Sequence, residues 1–148
     1  MGVHRSMKGV TYTLGRVSLV FKRQEENADR ASSIIESTEA PGAGASLHRH
    51  GWEETFIVFQ GHYEFVCGDD KCTLGPGDTV FVPRGTPHAF TCLGPETGRL
   101  FVVSTPGGMF EAFIRDVAKS VVDSGTPSSG PALDFRAVAA RHGVEFLP

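Results

Sequence analysis

His48, His50 and Glu54 stand an even number of residues apart in the run Ser46-Leu47-His48-Arg49-His50-Gly51-Trp52-Glu53-Glu54-Thr55-Phe56-Ile57-Val58. Side chains alternate faces along a β-strand, so residues two apart point the same way. In a strand without a bulge, His48, His50, Trp52, Glu54, Phe56 and Val58 share one face, and Arg49, Glu53 and Thr55 share the other. Two imidazoles and a carboxylate set among apolar groups are expensive to bury unless something satisfies them, and a divalent metal does so. The same parity selects Glu54 over Glu53 as the ligand candidate. A second cluster runs from Gly77 to His88, where Pro83 and Gly85 fix a tight turn. His88 then opens a strand whose face it shares with Phe90 and Cys92. A third imidazole brought against the first pair would complete a site of three histidines and one glutamate. Such a set leaves positions open for substrate, water or O₂.

The expected cofactor is one divalent metal ion per chain: Fe, Mn, Ni, Co, Cu or Zn, which these ligand types do not distinguish. A redox-active ion brings O₂ to an electron-rich substrate, whereas a Lewis acid polarises a carbonyl and stabilises an enolate. Glu54 is the candidate catalytic base in either case. His4, His62 and His142 lie near the ends or in a turn and read as surface residues.

Positioning these groups requires strands. Residues 10–23 read as one strand, with Thr11, Thr13, Val17, Leu19 and Phe21 at period two around Gly15. A polar turn over residues 24–29 leads to an extended run through Ile34 and Ile35, broken by Pro41, Gly42 and Gly44. From 46 to 104, short apolar runs alternate with Gly- or Pro-bearing turns about every eight to twelve residues, the rhythm of a sandwich or barrel. After Pro106-Gly107-Gly108 the period changes. Met109, Phe110, Phe113, Ile114, Val117, Val121 and Val122 fall at helical spacing, with Glu111, Arg115, Asp116 and Lys119 between them. Residues 124–131 contain only Ser, Gly, Thr and Pro, a flexible connector. Asp134 caps a short helix through Val138 and Ala139 that stops at Gly143. The expected division is 1–45 as N-terminal strands completing the barrel, 46–105 as its core and 106–148 as a helical tail. That tail packs on the barrel's outside or mouth, as a structural lid or as a gate.

A chain of 148 residues is one domain's worth, and 14 Lys and Arg against 17 Asp and Glu leave no basic surplus for a nucleic acid. No apolar run approaches the roughly 20 residues of a membrane helix. The N-terminus lacks the apolar core of a signal peptide, and a cytoplasmic location is expected. Gly2 and Ser6 fit a myristoylation pattern, with no basic patch behind them to act as a second anchor. Three cysteines are too few for a disulfide scaffold, and Cys67 and Cys72, which flank a turn, read as reduced thiols. The surplus of Phe, 11 residues against two Tyr and one Trp, points to a dry core or pocket.

The spacing resembles that of the cupin superfamily. Its first motif, G(X)5HXH(X)3-4E(X)6G, is met by Gly42, His48, His50, Glu54 and Gly61. Its second, G(X)5PXG(X)2H(X)3N, is met by Gly77, Pro83, Gly85 and His88, with Cys92 where the family often has Asn. The resemblance implies an all-β fold, a single jelly-roll-like barrel with N-terminal strands, C-terminal helices and a metal near its mouth, commonly a homodimer. It implies His48, His50, Glu54 and His88 as the metal ligands. The plan of one barrel followed by a helix is similar to bacterial quercetin-dioxygenase-like cupins. The activity this implies is a metal-dependent dioxygenase on a small aromatic or enolisable, flavonol- or polyketide-like substrate. Trp52, Phe56, Val58, Phe90, Cys92 and Phe101 are the candidate substrate wall; barrel packing competes for each Phe, and core filling for Cys92. A non-oxidative isomerase, cyclase or lyase uses the same ligands. A non-catalytic small-molecule-binding module is the reading from another class.

Overall fold

Alternating burial turns most of the chain into strands. A computed structural model describes residues 9–23, 31–123 and 135–148. The N-terminal lipidation pattern, the turn over 24–29, the connector over 124–131 and the Asp134 cap lie outside the described residues, as do the side chains of Val121 and Val122. The strands are β1 (Val10–Leu14), β2 (Val17–Arg23), β3 (Ser33–Glu39), β4 (Gly44–Arg49), β5 (Glu53–Gln60), β6 (Tyr63–Cys67), β7 (Asp70–Leu74), β8 (Thr79–Val82), β9 (His88–Cys92), β10 (Gly98–Thr105) and β11 (Glu145–Phe146). The helices are α1 (Met109–Asp123) and α2 (Phe135–Arg141). One sheet has the order β1-β2-β3-β10-β5-β8 and the other β11-β4-β9-β6-β7. The expected all-β barrel with C-terminal helices is observed.

Residues 10–23 are a hairpin and not one strand. Leu14 pairs with Val17 across Gly15-Arg16, and Val10 with Phe21. A two-residue loop needs a left-handed backbone, which Gly15 supplies at φ 59°. The face parity inverts across this two-residue turn: Tyr12 and Leu14 share a face with Leu19 and Val17, whereas Thr11 and Thr13, grouped with Val17, Leu19 and Phe21 by period two, face the other way and are exposed.

The barrel interior is aromatic. Phe56 meets Phe65 edge-on at 4.9 Å between centroids, and Phe65 stacks on Phe90 at 5.8 Å. Burying each such ring contributes about 1.5–3 kcal/mol. Helix α1 buries Phe113, Ile114 and Val117. Glu111 does not belong with the solvent-facing residues of that helix. It is buried, and its Oε2 accepts from Gly108 N at 2.9 Å, which satisfies a backbone donor at the helix start. Among the described residues no helix is long and apolar enough to cross a membrane. The C-terminal segment is not purely helical: beyond Gly143, β11 adds itself to β4.

Candidate metal centre

The strand carrying the histidines is interrupted. β4 ends at Arg49, residues 50–52 leave the sheet, and β5 begins at Glu53 in the opposite sheet. Facing alternation survives the crossing because the inner faces of both sheets look onto one cavity. His48, His50, Trp52 and Glu54 all line it, Arg49 points outward to Glu145 at 2.7 Å, and Glu53 is only partly buried. His88 arrives from β9, pairing directly with His48. The Pro83–Gly85 turn is anchored to the first motif, since Gly85 N donates to His50 O at 2.8 Å. Gly85 adopts φ 76°, a conformation other residues rarely take.

Each imidazole is oriented by a carbonyl two residues away: His48 Nδ1 to Ser46 O at 2.8 Å, His50 Nδ1 to Trp52 O at 3.0 Å, and His88 Nδ1 to Thr86 O at 2.9 Å. A carbonyl only accepts, so in each neutral ring Nδ1 carries the proton and Nε2 presents a lone pair. The three rings converge, with ligand atoms within 4.8 Å of one another. Glu54 Oε2 lies 3.3 Å from the Nε2 atoms of both His50 and His88. Its other oxygen accepts from Trp52 Nε1 at 2.9 Å. His50 Nε2 and His88 Nε2 are buried without a hydrogen-bond partner. Facing acceptors in a buried site require a positive charge among them, and imidazoliums this close would repel one another. A single divalent cation satisfies the set, so His48, His50 and His88 form a cluster that could hold one.

Electrostatics agree with that arrangement. Loss of bulk water, then repulsion by His88, lowers the His48 pKa to about 4, which keeps its ring available as a ligand. Burial acts to raise Glu54, but positive charge at the His50 and His88 rings outweighs it and holds the carboxyl well below the usual carboxylate range, a charge that a cation would supply once the rings are neutral ligands.

The cavity measures about 480 Å³ and is mostly apolar. Trp52, Phe56 and Phe90 line it, as the parity argument anticipates. Three candidates do not. Val58 and Cys92 are buried outside the lining, with Cys92 Sγ 3.6 Å from Glu96 O. Phe101 points away: Leu100 and Val102 hold the inner positions of β10, and the Phe101 ring meets Phe59 edge-on at 6.0 Å. Phe59 is 58% exposed, so this contact lies on the outer face of the sheet. Four apolar residues in succession, Leu100 to Val103, hide the alternation that would have excluded Phe101.

Several lining residues escape sequence reasoning. Phe110 and Phe113 of α1 close one side, so the helical tail forms part of the wall. Phe146 of β11 pairs with His48 and stacks against its ring at 5.6 Å. No local pattern singles out Phe146, because its place depends on a strand pairing about a hundred residues apart. Ser37, from the inner face of β3, contributes a hydroxyl.

Substitution should separate the adjacent acids. Glu53→Ala is expected to leave metal content unchanged, and Glu54→Ala to weaken metal affinity by at least about tenfold. Equilibrium dialysis against a competing chelator measures this, and a loss confined to Glu53→Ala would reverse the assigned parity.

Comparison with known proteins agrees with this architecture. Residues 36–104 match the Cupin domain family model. A stretch of 44 residues is 46% identical to dimethylsulfoniopropionate lyase DddQ of Ruegeria pomeroyi, covering 29% of this chain and 22% of that protein's length. Among solved structures, the polyketide cyclase RemF from Streptomyces resistomycificus superposes with a TM-score of 0.59 at 22% identity, over 70% of this chain and 78% of that one. An RmlC-like cupin from Shewanella frigidimarina superposes with a TM-score of 0.61 at 18% identity, over 70% and 89% respectively. Residues 36–104 are thus similar to a cupin domain, and the two facing β-sheets with two C-terminal helices among the described residues have the cupin fold.

Proposed function

We propose that this chain is a metal-dependent enzyme of non-oxidative type, a lyase, cyclase or isomerase acting on an apolar, enolisable small molecule. The observation that carries the reading is the donor set: three carbonyl-oriented imidazoles and one buried carboxylate, with two Nε2 atoms lacking any other partner. His48, His50, His88 and Glu54 would hold the ion, which supplies Lewis acidity to a carbonyl or carboxylate and so acidifies the adjacent C–H. Glu54 is the residue suited to take that proton. Trp52 Nε1 fixes one carboxylate oxygen and leaves the other at the cluster. The apolar walls from Phe56, Phe90, Phe110 and Phe113 exclude water and strengthen these interactions. The named activities among the relatives, a lyase and a cyclase, support this reading over the dioxygenase expectation, which gains no support from them.

Proton exchange provides the test. The metal-loaded protein is incubated under argon in D₂O with dimethylsulfoniopropionate and with aromatic β-ketoacids, followed by proton NMR. Deuterium is expected at the α-carbon, or an elimination or cyclisation product, at rates that fall at least about a hundredfold in Glu54→Gln. Product that forms only when oxygen is admitted would overturn the non-oxidative assignment.

A further inference from the structure

The inner face of β3 presents Ser33, Ile35, Ser37 and Glu39, all buried. Pairing through β10 sets Ser33 level with Ser104 and Glu54, and Ser37 level with Leu100 and Val58. Ser37 therefore stands four residues along the strand from the level of Glu54, about 13 Å at the rise of extended chain. Both residues line the same cavity. One end of that cavity holds the histidine cluster, and Ser37 puts a hydroxyl at a distance along an otherwise mostly apolar wall.

Ser37 is backed by a polar group with no evident packing purpose. Its Oγ donates to Glu39 Oε1, and Glu39 Oε2 accepts from Tyr63 Oη at 2.5 Å. Glu39 and Tyr63 are both fully buried. The backbone is shaped around them: a Cβ at Gly98 would come 2.2 Å from Tyr63 Oη. An apolar plug would close the barrel without the desolvation penalty of a carboxyl group. A serine hydroxyl carries one proton and two acceptor positions, so Ser37 retains bonding capacity after its bond to Glu39. A hydroxyl in the cavity can both donate and accept, and so fits Ser37 whichever way the hydrogens of this small network lie.

We infer that Ser37, backed by Glu39 and Tyr63, is a specificity-determining contact that binds a hydroxyl at the far end of an apolar substrate whose carboxylate or carbonyl meets the histidine cluster. The inference rests on the metal-site reading and adds to it a length and a second polar group for the substrate.

The experiment compares 2-naphthoate with 6-hydroxy-2-naphthoate, which differ only in a hydroxyl at the end remote from the carboxylate. Cobalt-loaded full-length protein is titrated with each, following the cobalt absorption bands and tryptophan fluorescence. Both are expected to shift the cobalt bands, with the hydroxylated acid binding about tenfold more tightly. Ser37→Ala should lose that preference while keeping its affinity for 2-naphthoate, and Ser37→Thr should retain it. Ser37→Cys, which preserves volume but accepts weakly, is expected to lose the preference as well and serves should the alanine variant not fold. A role confined to holding the barrel together would leave the hydroxyl preference unmoved. Equal affinities in the unmodified protein, or a preference that persists in Ser37→Ala and Ser37→Cys, would overturn the inference and leave the metal site standing. Failure of both acids to perturb the cobalt bands would overturn both.

Discussion

Replacing His88 by alanine is expected to take the metal content of the purified protein from about one ion per chain to near zero. His88 is fully buried, and its ring lies 4.2 Å from that of His48 and 4.9 Å from that of His50, measured between centroids. It is also one of two imidazoles against Glu54 Oε2. Removing it takes away one of the three converging imidazoles and opens a void in its place, so the remaining two rings and Glu54 no longer enclose the ion. The barrel should persist, because Phe56 loses only its contact with the His88 ring at 6.1 Å and the contacts of Phe65 with Phe56 and Phe90 remain. Elemental analysis with far-ultraviolet circular dichroism reads both quantities. His48→Ala provides a control on folding, since that ring is only partly buried and leaves a smaller internal void. Full metal retention in both variants would remove the histidine cluster from any account of metal binding.

The second large effect is expected at Trp52. Its ring lies nearly parallel to that of His50, at 4.0 Å and 8°, and stacks on Phe110 at 6.0 Å, so it couples the histidine cluster to helix α1. It is 1% exposed. Trp52→Ala should destabilise the fold by about 3–5 kcal/mol, which for a chain of this size lowers Tm by roughly 10 °C or more. Trp52→Phe keeps much of the packing and deletes the N–H that holds Glu54. Its cost should fall to about 1–3 kcal/mol, the penalty for stripping a buried acceptor of its donor. In that variant α-proton exchange should slow even at saturating metal, because the carboxylate is no longer fixed. Thermal melts with and without metal, beside the exchange rate, distinguish packing from positioning. A Trp52→Phe variant with unchanged stability and unchanged exchange would show that the indole N–H does not orient Glu54.

What the sequence by itself determined was the identity of the donor group and the side on which it lies. Covalent geometry alternates side chains along extended chain, and that rule is local. It chooses the face of Glu54 over that of Glu53, and it holds even where β4 gives way to β5, because both sheets turn their inner faces to one cavity. The Pro83 and Gly85 turn that delivers His88 is equally local. So is the apolar stripe of α1, read from its 3.6-residue period.

Only the tertiary structure decided depth, partners and reversals. Period two says which face Val58 and Cys92 occupy but not whether they reach the cavity, and neither lines it. It is silent where neither face is polar, so Phe101 could not be told from Leu100 and Val102. It does not foresee the Gly15 turn that folds residues 10–23 back on themselves, where the inward parity switches from Tyr12 and Leu14 to Val17 and Leu19. The pairing of Phe146 with His48 and the level of Ser37 relative to Glu54 both follow from strand register between segments far apart in the chain. Register is selected by the burial of whole faces against one another and is not carried by any single segment.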